Sequence, residues 1–205
     1  MPAYHQLQTY KILEADQKVV IEKYTQVLKN VGCWNGDIQK HFDNFSWKIE
    51  DNGFVYTGIQ KEWQRFKIND VEFCAAPHVL GWTPQGNPKL KSNYLELGLL
   101  FQSADLEEDF PSQIVYRKGL EEGFLKIMFE FAKLFPDSGI YLTDEVQDGE
   151  PWDGLLENDE RKLWNFDMAL ISENFIKYYR IAPETHSENN VSGFKLFKYK
   201  EKWPS

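Results

Sequence analysis

Residues 144–160, Asp-Glu-Val-Gln-Asp-Gly-Glu-Pro-Trp-Asp-Gly-Leu-Leu-Glu-Asn-Asp-Glu, hold eight carboxylates and no Lys or Arg. The acids are Asp144, Glu145, Asp148, Glu150, Asp153, Glu157, Asp159 and Glu160, and Trp152 stands among them between Pro151 and Asp153. So dense a run repels itself unless counterions, a metal or a basic partner offset it. An aromatic anchor inside an acidic rim has the composition of a protein-binding hot spot, although a Trp folded back onto the core fits equally well. Asp144, Glu145, Asp148, Glu150, Trp152 and Asp153 are therefore candidate partner-binding residues. Trp82, at the tip of the Pro- and Gly-punctuated connection Val79-Leu80-Gly81-Trp82-Thr83-Pro84-Gln85-Gly86-Asn87-Pro88, is a candidate second aromatic contact. The competing reading of the acidic run is a solvated loop without a role, because surface charge costs little.

Other chemistries find less support. With Asp144 at position 1 of a calcium loop, Asp148 and Gly149 match positions 5 and 6, but Val146 and Leu155 occupy positions 3 and 12, where oxygen ligands are needed. Gly32-Cys33-Trp34 superficially resembles a cysteine-protease nucleophile segment, yet such a thiol should open a helix and Cys33 follows one. Cys74 and His78 would share a helical face as metal ligands, a geometry that Pro77 and a strand context remove. His5, His41 and His186 have no ligand-spaced partner, and the phosphate-loop, dinucleotide and nucleophile-elbow signatures are missing. No metal or cofactor is expected. Carboxylate pairs of the glycosidase kind leave no spacing signature, since their separations of ~5–9 Å are set by the fold.

The elements that must position these residues can be read from periodicity. Val19, Val20, Tyr24, Val27, Leu28 and Val31 recur at helical spacing, predicting an amphipathic helix over 16–31 with Asp16 as N-cap and Gly32 as its stop. Residues 4–14 read either as a preceding helix or as an extension of this one, and a short helical turn is expected over 37–45. Asn52-Gly53 between alternating runs predicts a hairpin of 46–51 with 54–58. A second hairpin pairs 63–68 with 71–76 through Asn69-Asp70, setting Phe66 against Phe73 and Lys67 against Glu72. The nearly all-apolar Tyr94–Gln102 reads as a strand covered on both faces. A long central helix is expected over about 112–135, opened by Pro111 and carrying Leu120, Phe124, Ile127, Met128 and Phe131 inward. Further strand candidates are 140–143, 164–171 and 194–199, with 173–180 ambiguous. The fold class that follows is α+β, a single domain over 1–205 with a mostly antiparallel, hairpin-rich sheet of about 6–7 strands packed on the long helix and the N-terminal helix.

Charge bounds the partners. The 205 residues carry a formal net charge of -9, from 32 acids against 23 bases, and the 16% aromatic share is high. Without the eight acids of 144–160, 24 acids face 23 bases, so the rest of the chain is nearly neutral. Acidity disfavours nucleic acid as a partner. No run approaches the ~18 apolar residues of a membrane span, no charged-then-apolar leader opens the chain, and two cysteines are too few for a disulfide scaffold, so a cytoplasmic protein without a membrane partner is expected.

This profile of abundant aromatics, localised negative charge and no catalytic signature is similar to that of bacterial immunity proteins that block basic toxins, a likeness of composition that covers no motif. It implies a non-enzymatic, protein-binding inhibitor whose acidic, Trp-containing segment 144–160 meets a basic toxin or effector, with a homodimer as a further partner state. The alternative is a small hydrolase using Asp or Glu in a Trp-lined cleft, acting on a glycan or another small molecule.

Overall fold

A computed structural model describes residues 4–13, 17–44, 51, 53–56, 63–68, 71–110, 113–136 and 138–203. In chain order its strands are β1 Tyr4–Ile12, β2 Phe54–Tyr56, β3 Gln64–Ile68, β4 Val71–Trp82, β5 Tyr94–Gln102, β6 Glu107–Phe110, β7 Gln113–Tyr116, β8 Ile140–Asp144, β9 Met168–Ser172, β10 His186–Val191 and β11 Phe194–Tyr199. The helices are α1 Gln17–Asn30, α2 Gly36–Asp43, α3 Ser103–Leu106, α4 Leu120–Leu134, α5 Glu150–Glu157 and α6 Glu160–Leu163, with a 3-10 turn at Ile176–Tyr178. Nine strands form one sheet in the order β10-β11-β9-β8-β1-β5-β4-β2, with β3 also on β4, and β6 pairs with β7 apart from it. Every pairing is antiparallel. The α+β class and the antiparallel sheet stand as expected, whereas the sheet is wider than six or seven strands.

The largest correction is β1, which lies between β5 and β8 in the middle of the sheet where a helix was expected. Its residues from His5 to Tyr10 are all buried, four of them polar, and this hides the alternation that marks a strand with one wet face. The long helix is also shorter than expected. Ile114, Val115 and Tyr116 belong to β7, and Gly119 at φ 90 separates it from α4. β-branched and aromatic residues favour the extended chain there, and a left-handed glycine stops the apolar stripe from running back as helix. Nor is α4 central, because it shares one face of the sheet with α1.

Helix α1 matches its expected span, burying Val20, Ile21, Tyr24, Val27 and Leu28. It stops at Gly32, at φ 79, where Cys33 N–H donates to the Leu28 carbonyl at 2.8 Å. Its expected cap Asp16 lies outside the described residues, as do the turn Asn69-Asp70, Asn52 and the first strand of the 46–58 hairpin. The described β2 pairs with the end of β4, from Phe54 against Trp82 to Tyr56 against Leu80. Between β3 and β4 the register is the expected one, Phe66 on Phe73 and Lys67 on Glu72. Pro77 stands opposite Leu99 of β5, while on the other edge of β4 it falls between the residues that β3 pairs with, 71–75, and those that β2 pairs with, 80–82.

The alternation along the strands sorts side chains into two layers. Leu7, Leu95, Leu97, Leu99, Phe101, Leu142 and Leu170 face α1 and α4 in the main core. On the opposite face Tyr10, Tyr141, Ala169, Ile171 and Phe197 form a smaller, aromatic core under α6, with Trp152 and Leu155 of α5 packed against it. No described helix is long and apolar enough to cross a membrane.

Candidate functional site

The smaller layer leaves part of its sheet face polar. Gln6 and Gln8 of β1, Glu96 of β5 and His78 of β4 are all buried there. Gln8 and His78 both stand opposite Gly98 in the ladders, and Tyr10 stands opposite Glu96. Gly98 makes the arrangement possible, since a Cβ on it would come within 2.4 Å of the Leu7 carbonyl oxygen and 2.6 Å of His78 Cε1. The missing side chain is the space that the imidazole occupies.

Glu96 is the hub. Gln6 Nε2 donates to its Oε1 at 2.7 Å, His78 Nε2 lies 3.0 Å from the same oxygen, and Trp82 Nε1 donates to Oε2 at 3.0 Å. With its nitrogen turned toward the acids, the Gln8 amide lies 3.1 Å from Glu96 Oε1 and 3.3 Å from Asp148 Oδ1. A carboxylate only 2% exposed thus has its oxygens fixed by groups from two strands, β1 and β4, on either side of its own.

The acidic segment closes over this floor. Its expected loop is a turn followed by helix α5. Asp144 Oδ1 accepts the backbone N–H groups of Val146 and Gln147 at 2.9 and 3.0 Å, tightening the turn, and Gly149 at φ 73 leads into a helix with Pro151 in its first turn. Trp152 then stacks on Tyr10, with centroids 4.5 Å apart and planes at 8°, and meets Tyr94 edge-on at 4.9 Å. The ring pins α5 to the sheet and brings Asp148 and Asp153 over Glu96.

The result is a pocket of about 180 Å³ lined by Tyr10, Leu80, Trp82, Asn87, Glu96, Asp148, Gly149, Trp152 and Asp153. Among the described residues three aromatic rings and three carboxylates line it, without a Lys or Arg. The Tyr10 hydroxyl is buried and has no hydrogen-bond partner among the described residues. Asp148 as a residue is exposed at the turn, but its carboxyl faces inward. Burial first, and then the charge of Glu96, push that carboxyl up to about 6, against the opposing pull of His78 and of the Gln8 and Gln6 amides. Burial also raises Asp153, with Lys162 opposing and Glu157 assisting.

Four of the seven residues singled out from sequence, Trp82, Asp148, Trp152 and Asp153, meet in this pocket. Asp144 serves the turn, Glu145 is exposed, and Glu150 lies half-buried in the first turn of α5 outside the pocket lining. Elsewhere in the acidic segment Glu157 pairs with Lys89 and Lys162, and the Asp159 carboxylate accepts Arg161 N–H at 2.9 Å as the cap of α6. Sequence reading missed Glu96, Tyr10 and the amides of β1. One signal was present, a lone acid in the otherwise apolar run Tyr94–Phe101 of a strand expected to be covered on both faces.

A second buried polar cluster ties the chain ends together. His5 Nδ1 lies 2.9 Å from Ser103 Oγ and His5 Nε2 3.3 Å from Glu107, Lys202 Nζ donates to Glu107 at 2.9 Å, and the Tyr116 hydroxyl donates to Asp167 at 2.6 Å. Burial works to raise Glu107, but hydrogen bonds from His5 and Lys202 outweigh it and hold the carboxyl below its ordinary value. His5, Ser103, Glu107 and Asp167 are all closed to solvent, so this cluster acts as a clamp. Among the described residues no group of His, Cys, Asp and Glu side chains is arranged to hold a metal. Compared with protein families, with curated proteins and with solved structures, the chain finds no match.

Proposed function

We propose that this is a non-enzymatic binding protein of the immunity type, which captures a basic toxin or effector by seating a Lys or Arg side chain in the acidic aromatic pocket. The observation that carries the reading is the lining itself, three carboxylates and three rings with no cationic side chain among them. Like charges gathered in a desolvated site raise one another's proton affinity, and a cation entering the site relieves that repulsion. The Trp rings attract the same cation through their quadrupoles, for about 0.5–2 kcal/mol. A volume near 180 Å³ lies below the roughly 300–1,000 Å³ of drug-sized ligand sites and suits a single side chain. Calorimetry with N-acetyl-arginine amide and with a basic protein tests it: affinity should fall as salt is added, and by about tenfold or more when Asp148→Asn and Asp153→Asn are combined. Salt-independent affinity, or full affinity in the double variant, refutes the mechanism.

A second reading, a small hydrolase for glycans or other small molecules, is favoured by one observation. Asp148, pushed up to about 6, shares a Trp-lined pocket with the carboxylate Glu96, and an acid poised near neutrality beside a second carboxylate is the equipment of general acid–base hydrolysis. Turnover of aryl glycosides that disappears in both Glu96→Gln and Asp148→Asn would establish it. Cation binding without turnover would leave the first reading.

A further inference from the structure

Tyr10 brings into the acidic pocket a neutral polar group that the fold itself leaves unused. The residue is 2% exposed, and its ring is fixed by stacking on Trp152. Its hydroxyl is buried, yet it finds no hydrogen-bond partner among the described residues. Such an orphan costs free energy, because burial strips water from the oxygen and nothing in the fold replaces it. Burial first, then the charges of Glu96 and Asp148, the neighbouring Tyr141 and the charge of Asp153, hold its pKa well above the ordinary value. The hydroxyl thus keeps its proton and stands among the three pocket carboxylates while bonded to none of them. A ligand that met this oxygen and the carboxylates together would need donors spread over more than one atom.

We infer that the pocket selects a guanidinium group, an arginine side chain of the basic partner rather than a lysine, and that the Tyr10 hydroxyl is the group that sets this preference. The inference rests on the cation-capturing reading of the pocket. An ammonium carries its three donors on a single nitrogen, whereas a guanidinium spreads five N–H groups over three nitrogens in one plane. One guanidinium can therefore donate to Tyr10 Oη from one edge and to the carboxylate oxygens of Glu96, Asp148 or Asp153 from another. It is also more weakly hydrated than an ammonium, and so loses less on entering a site whose floor acid, Glu96, is nearly closed to solvent. Its flat face suits the Trp82 and Trp152 rings. Lysine and arginine both carry an apolar stem that can lie along Leu80 and those rings, so the stem does not separate them. The head group does.

Calorimetry on the full chain with N-acetyl-arginine amide and N-acetyl-lysine amide tests this. The arginine amide should bind about tenfold more tightly, the worth of one further hydrogen bond to a charged group. Tyr10→Phe keeps the ring that stacks on Trp152 and removes the orphan oxygen alone. It should leave the melting temperature unchanged or raise it, while bringing the arginine amide down about tenfold, to the level of a lysine amide whose own affinity moves little. Free guanidinium ion should bind at least about tenfold more weakly than the arginine amide, because it lacks the methylene stem. Equal affinities of the two amides in the unaltered protein, or an arginine preference that survives Tyr10→Phe, overturn the inference but leave the pocket reading standing. A Tyr10→Phe chain that melts lower would show the hydroxyl serving the fold, and guanidinium ion bound as tightly as the arginine amide would assign the pocket to a small free cation; each overturns the inference. Failure of both amides to bind, or binding of both that is indifferent to Asp148→Asn with Asp153→Asn, overturns the pocket reading as well.

Discussion

Replacing Asp148 by Asn should stabilise the fold near neutral pH and give no such gain in acid. In the folded chain burial and the neighbouring Glu96 charge lift this carboxyl from its ordinary 3.8 to about 6. The folded state therefore holds the Asp148 proton more firmly than the unfolded state does. Below the unfolded value both states are protonated and the effect is nil. As pH climbs from 3.8 toward 6 the unfolded chain loses its proton first, so stability falls through that window and stays reduced above it. At ~1.36 kcal/mol per pH unit the upper bound is ~3 kcal/mol. Because Asp148 stands at an exposed turn, solvent screening reduces this to about 1–2 kcal/mol. Asn removes the charge and keeps the shape. It also alters the contact with the Gln8 amide, a change that largely cancels when two pH values are compared. Urea unfolding at about pH 7.5 and about pH 3.5 should show the variant gaining about 1–2 kcal/mol on the original between the acid and the neutral measurement. The same substitution should weaken cation binding, so stability and capture move in opposite directions. A difference between the two proteins that is the same at both pH values, or that favours the variant more in acid, would refute the stored repulsion on which the pocket reading depends.

Gly98→Ala should be poorly tolerated, since its Cβ would stand 2.4 Å from a backbone oxygen that cannot yield cheaply and 2.6 Å from His78; a loss of about 1–3 kcal/mol or more is expected, with displaced His78 ring signals in NMR, and an unchanged melting temperature would contradict it. Trp152→Ala removes the half-buried ring that joins α5 to Tyr10 and Tyr94, and should cost about 2–4 kcal/mol together with much of the near-ultraviolet dichroism; a variant that keeps both stability and dichroism would show that α5 is held by other means.

The parts of this fold that could be read from sequence are those whose pattern is local. The covered strand Tyr94–Gln102, the Phe66–Phe73 register and the stripe of α1 each repeat at a period set by their own backbone. β1 could not be read so, because its buried polar residues are satisfied by remote groups: Gln6 by Glu96, His5 by Ser103, Thr9 by Ser138. Nothing near residues 5–9 announces those partners, and without them polar residues look exposed. The same reasoning divides the candidate site. Trp82, Asp148, Trp152 and Asp153 were found because aromatics and acids cluster along the chain, whereas Tyr10 and Glu96 join them only through the pairing of β1 with β5.

That division changes what the net charge of -9 means. The eight acids of 144–160 look equivalent as a tally, yet the fold gives them different work. Asp144 and Asp159 accept backbone N–H groups at a turn and a helix start, and Glu157 is paired with two lysines. Those three already have donors or counterions, so they contribute to local order and little to the attraction of a partner. Asp148 and Asp153 are set instead over Glu96, a buried acid that does not belong to the segment at all. The repulsion that a cation would relieve is thus between one turn and one strand, Asp148 against Glu96. It exists only in the folded chain, and Asp144, Asp159 and Glu157 serve it by holding the segment in place.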